Sequence, residues 1–112
     1  MKEKQNNSNI SEEELVRKCI ANERQYQEML YRKYADYMYS VCLSYNNNED
    51  EACDILQDGF IKVFRKLEQF NFDSSLKGWI RRIIVNTALD HYRKQKRHED
   101  KLESYSQVVV SP

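Results

Sequence analysis

The sequence predicts an all-α fold, a compact bundle of about four helices with disordered termini. Three observations lead there. Apolar residues recur at spacings of three and four over long stretches, the period of a helix buried along one side. The 112 residues include only two glycines and one proline, too few turn residues for a sandwich or barrel of short strands. Asn, Asp and Ser cluster where each periodic stretch stops, so the connections are short.

The first helix opens at Ser11, which with Glu14 has the form of a capping box, and runs to about Asn22 with Leu15 and either Cys19 or Ile20 inward. A second helix covers about Glu23 to Ser44, followed by the Asn46-Asn47-Asn48 break. Its stripe is Tyr26, Leu30, Tyr34, Tyr37, Met38, Val41, Cys42 and Tyr45. The third begins near Glu49 and ends near Gln69, burying Ala52, Ile55, Leu56, Gly59, Phe60, Val63, Phe64 and Leu67. A glycine in mid-helix costs about 1 kcal/mol against alanine, so Gly59 on that stripe implies a neighbouring helix in close approach. Phe70 to Ser75 form a loop in which Asp73 or Ser74 caps the fourth helix, from about Ser75 to Arg97. There Leu76, Trp79, Ile80, Ile83, Ile84, Thr87 and Ala88 face inward. Residues 1–10 read as a disordered lead-in, 11–98 as the helical domain, and 99–112, where the periodicity vanishes, as a linker stub.

Much chemistry is excluded. Gly59 and Gly78 stand too far apart for a Gly-rich phosphate loop. Cys19, Cys42 and Cys53 form no CxxC, and with only His91 and His98 no zinc spacing arises; they read as buried or half-buried free thiols of a cytoplasmic protein. Asp54 and Asp58 at i, i+4 could hold a metal in principle, but no histidine is expected to accompany them, and both histidines sit in a basic stretch that does not favour base chemistry. No metal, cofactor or catalytic role follows. No apolar run approaches the ~18 residues of a membrane span, and residues 1–9 lack the apolar core of a signal peptide.

The formal net charge of zero hides a segregation. Residues 31–60 carry net −4 and residues 61–98 net +7. One acidic and one basic end suit two different partners, the basic one being nucleic acid or an acidic protein. A basic helix end also complements the macrodipole, but Arg93, Lys94, Lys96 and Arg97 within five positions exceed that need. On a helical wheel Asp54, Gln57, Asp58, Ile61 and Arg65 lie opposite the core stripe of the third helix. Ile61 is thus an apolar residue among charges, an ordinary exposed side chain or the centre of a protein-binding patch. On the fourth helix Trp79, Arg82, Asn86, Asp90 and Arg93 follow one edge, while Lys77, Arg81 and Lys96 broaden the basic surface. Arg and Asn read base edges and phosphates. Phe70, Phe72 and Trp79 could stack on unpaired bases or belong to the core, with Phe72 in its polar loop the best candidate for an exposed ring.

From Leu30 to Arg97 the chain resembles region 2 of the bacterial sigma factors, of the extracytoplasmic-function (ECF) type of the sigma-70 family. Four segments carry the resemblance in order: Leu30 to Tyr39, the acidic Glu51 to Phe60, the loop and helix start Phe70 to Ile80, and Arg82 to Arg93. The resemblance implies a transcription initiation factor. Asp54, Gln57 and Asp58, with Ile61 on the same face, would dock on the β′ coiled coil of core RNA polymerase. The loop with Phe72, Asp73 and Ser74, and the fourth helix with Lys77, Trp79, Arg82, Asn86, Arg93, Lys96 and Arg97, would recognise the −10 element and capture a flipped base of the non-template strand. An anti-sigma factor would be a further partner; membrane insertion is not expected. Two positions depart from the family pattern: Cys53 stands where an acid is usual, and Phe72 where a small residue is common. The region that would bind the −35 element is not in this sequence, so the chain reads as one domain of a longer protein. The alternative class is a helical interaction module without a DNA role.

Overall fold

A computed structural model describes residues 9–110, with side chains through Ser106. The order is α1 (Glu12–Ile20), α2 (Arg24–Tyr45), α3 (Glu49–Lys66), a 3-10 turn (Leu67–Gln69) and α4 (Leu76–Val110). No strand occurs among the described residues, and the all-α expectation holds. The expected lead-in lies outside the described residues as far as position 8; Ile10 is partly buried against the core.

The helix boundaries have local causes. Ser11 Oγ accepts from the Glu14 N–H at 3.0 Å, one half of the expected capping box. α1 ends in a Schellman motif: Asn22 adopts φ 65°, its N–H donates to the Cys19 carbonyl and the Glu23 N–H to that of Lys18. In the Asn run, Asn46 Oδ1 accepts from the Asn48 N–H and Asn48 Oδ1 caps α3 through Glu51 N–H, both at 3.0 Å. The cap of α4 is neither Asp73 nor Ser74. It is Ser75, whose Oγ accepts from the Gly78 N–H at 3.0 Å, which leaves both expected caps free in the exposed loop.

The core joins all four helices: Leu15, Val16 and Cys19 from α1, Leu30, Met38 and Cys42 from α2, Ala52, Ile55 and Val63 from α3, and Leu76, Ile80, Ile84 and Thr87 from α4. Thr87 Oγ1 donates to the Ile83 carbonyl at 2.8 Å, so its burial leaves no orphan hydroxyl. Gly59 meets Ile84: a β-carbon there would overlap Ile84 Cδ1 and stand 3.6 Å from its Cα. That is the expected close approach, and it sets how near α3 and α4 lie.

Four expectations need correction. Tyr37 and Tyr45 are exposed rather than inward; Tyr37 stands at the edge of the stripe with Lys77 over its ring, and Tyr45 is the last residue of α2. Cys53 is exposed, whereas Cys19 and Cys42 are buried and their thiols pushed up to about 11 by desolvation. The 3-10 turn, not α3 itself, carries the chain over Leu67–Gln69. Most consequentially, α4 does not stop at Arg97. It continues to Val110, through the segment expected to be a linker stub, and its last fully buried residue is Ala88.

Candidate functional site

The outer face of α3 is built as its periodicity requires. Packing of Ala52, Ile55, Gly59 and Val63 turns Asp54, Gln57, Asp58 and Ile61 to solvent. Ile61 is 49% exposed, a branched apolar surface among charges. Asp54 has no ion-pair partner among the described residues, whereas Asp58 Oδ2 lies 2.7 Å from His91 Nε2 on α4. Lys62 reaches Asp90 at 3.7 Å, and Asp90 holds Arg93 at 3.0 Å. These links border a groove of about 400 Å³ between α3 and α4, lined by Asp58, Ile61 and Arg65 on one side and His91, Lys94 and Arg97 on the other.

The second cluster surrounds the loop before α4. Phe70 is buried and anchors it. Trp79, half-buried, and Phe72, 43% exposed, lie on Phe70 with ring centroids at 5.3 and 4.7 Å. Phe72 adopts φ 65°, a left-handed conformation that is an outlier for a bulky side chain. This accounts for why a small residue would be at ease there. Asn71 Oδ1 accepts from the Asp73 N–H at 3.2 Å and tightens the loop. Lys77 Nζ sits 4.1 Å from the Tyr37 ring centroid and ties the start of α4 to α2. Arg82 and Asn86 are exposed farther along α4, as are Lys96 and Arg97.

The expected site residues therefore fall into two places. Phe72, Asp73, Ser74, Lys77 and Trp79 gather around one loop, with Arg82 and Asn86 on the helix that leaves it. Arg93 and Arg97 instead share the groove with Asp58 and Ile61, so the acidic and basic surfaces meet there. Sequence reasoning missed the role of His91, read only as part of a basic stretch. No spacing within α4 signals a bond to a residue 33 positions away.

An exposed ring on a loop can stack on an unpaired base. Phe72→Ala is expected to weaken binding of a single-stranded −10 oligonucleotide by ~1–3 kcal/mol, read by fluorescence anisotropy. A loss under half a log unit would remove Phe72 from the contact surface.

The family model for Sigma-70 region 2 matches residues 30–98. The chain is 28% identical to the ECF RNA polymerase sigma factor SigM of Mycobacterium tuberculosis over 88 residues, which are 79% of this chain and 45% of that protein. It is 31% identical to the ECF RNA polymerase sigma factor SigW of Bacillus subtilis over 86 residues, covering 69% of this chain and 46% of SigW. The chain thus spans less than half the length of these relatives. Among solved structures, an engineered region 2 of sigmaE, determined by NMR in complex with GTAAAA, matches with a TM-score of 0.69 and 28% identity. The match covers 80% of this chain and 97% of that one.

Proposed function

The chain belongs to the Sigma-70 region 2 family, and from that premise we propose that it is the promoter-recognition and melting domain of an ECF-type RNA polymerase sigma factor. The observation that carries the proposal is the pairing of two unlike surfaces on one small domain. An acidic helix face centred on exposed Ile61 suits a protein partner, and an aromatic loop feeding a basic helix suits nucleic acid.

In this reading Asp54, Gln57, Asp58 and Ile61 dock on the β′ coiled coil of core polymerase. Phe72, with Asp73, Ser74, Lys77 and Trp79, receives a base turned out of the non-template strand of the −10 element. The aromatic faces stack on the base, while Asp73 and Ser74, free of capping duty, present polar groups to its edge. Arg82 and Asn86 lie beyond the loop, where the strand continues. Arg93, Lys96 and Arg97 hold phosphates, which position the domain without reading sequence. The complex of the engineered sigmaE region 2 with GTAAAA supports strand binding by a domain of this fold. The work assigned to the chain is binding, in the cytoplasm where the polymerase acts, and an anti-sigma factor would cover one or both surfaces.

Two measurements test this. The 112-residue chain is expected to retain core polymerase in a pull-down and to bind a −10 single strand in a salt-sensitive manner. Within the second, Asn86→Ala should change the ratio between matched and scrambled strands and leave the salt slope nearly unaltered. Neutralising Arg93, Lys94, Lys96 and Arg97 should weaken both strands alike and flatten the slope by roughly 0.7 per lost contact. If both variants change slope and preference together, only a general basic surface remains. If neither polymerase nor DNA is bound, the chain is a helical interaction module of another kind.

A further inference from the structure

Asp58 belongs to the outer face of α3, yet its hydrogen-bond partner belongs to α4. His91 Nε2 lies 2.7 Å from Asp58 Oδ2. A carboxylate only accepts hydrogen bonds, so His91 donates and the proton is on Nε2. The two side chains differ in exposure, 22% for the imidazole against 54% for the carboxylate. The ring is mostly covered while the carboxylate still reaches solvent. One donor does not fill the group: a carboxylate has about four acceptor positions, and Oδ1 stays open. Lys62, one turn along α3, is directed to Asp90 instead.

We propose that His91 is a positioning residue of the docking face, holding the Asp58 carboxylate from α4 in the orientation in which it meets a cationic group of the polymerase. The proposal rests on the docking role of Asp58 and goes beyond it, because none of the bonds described on α3 fixes that carboxylate. A free aspartate on a helix surface samples several rotamers, and association must then immobilise it. The bond from His91 removes that freedom beforehand and leaves the second oxygen for the partner.

The test is a titration of labelled 112-residue chain with core polymerase, with −10 strand binding and thermal melting measured on the same variants. His91→Ala and His91→Asn should weaken polymerase association about two- to ten-fold, the effect of ordering one side chain at an interface. His91→Gln, whose amide nitrogen reaches the place of Nε2, should restore it. Binding to the −10 strand should not move. If Ala and Asn dock like wild type while Asp58→Lys still blocks docking, the positioning role is overturned and the docking face stands. If Gln is as weak as Ala, or if the loss appears in strand binding instead, the hydrogen bond is not the cause and the role is likewise overturned. If Asp58→Lys itself docks normally, the docking reading fails, and His91 has no carboxylate to position for it.

Discussion

Asp54→Lys and Asp58→Lys are each expected to abolish association with core polymerase, by at least about 100-fold, while circular dichroism stays helical. The size follows from what a reversal does at an interface: the lost attraction is replaced by repulsion, and the partner's cation is left without its anion. Truncating one member of a buried, hydrogen-bonded charge pair already costs roughly 2–5 kcal/mol. Stability should hardly change, because exposed substitutions usually stay within about 0.5 kcal/mol. The two variants are not equivalent. Asp54 has no ion-pair partner among the described residues, so its reversal tests docking alone. Asp58→Lys also removes the bond to His91 and sets an ammonium beside the imidazole and Lys62. Asp54→Lys therefore decides the matter in a pull-down: retention at wild-type level would dismiss the acidic face as a docking surface.

Gly59→Val should destabilise the fold by about 2 kcal/mol, within the usual cost of overpacking a core, and lower the melting temperature by roughly 10 °C. The cause is the contact with Ile84. An alanine β-carbon would overlap only the Cδ1 end of that side chain, which can turn, and alanine recovers about 1 kcal/mol of helix propensity. Gly59→Ala should thus come close to neutral. Valine adds γ-carbons beside the Ile84 Cα, 3.6 Å from the new β-carbon, and backbone cannot turn away. Calorimetry on Gly59→Val, Ile84→Ala and the double variant would check it. The double variant should be more stable than the sum of the two losses, because each relieves the other. Simple additivity would mean that the two residues do not share this contact.

Gly59 also illustrates what the sequence made legible. A glycine on an apolar stripe announced the crossing of two helices, Ser11 announced a cap and the Asn46-Asn47-Asn48 run announced a break, because each signal is local and has a single cheap physical remedy. Burial along α3 followed its period for the same reason. The failures share a different cause. Tyr37 and Tyr45 obey the period of α2 but stand at the edge and at the end of its stripe, and how far the neighbours wrap around a helix is not written in periodicity. Residues 99–106 lack an apolar stripe and so resembled a linker, yet Glu99, Lys101, Leu102 and Glu103 are good helix formers and α4 simply continues. At the candidate site, residue types gave the acidic face and the aromatic loop. Sequence spacing could not give the bond between Asp58 and His91, which joins two helices across 33 positions.

The length of α4 divides one uninterrupted helix into two thermodynamic regimes. From Ile80 to Ala88 the helix is packed on the core by Ile80, Ile84, Thr87 and Ala88, so its amides should exchange slowest, near the global opening of the domain. Beyond Tyr92 every described side chain is exposed. Such a stretch is marginal by itself in water, since most helical stability in proteins comes from tertiary packing of an apolar face. Amide protection should therefore fall within about one turn past His91, although no break in the hydrogen-bond ladder marks the place. The same gradient directs trypsin. Arg81 and Arg82 are exposed, but their backbone is locked to the core, whereas Lys94, Lys96, Arg97 and Lys101 lie where the helix can fray at almost no cost. Early cleavage should trim the distal half of α4 and leave a folded remainder that still contains Ile61 and Phe72.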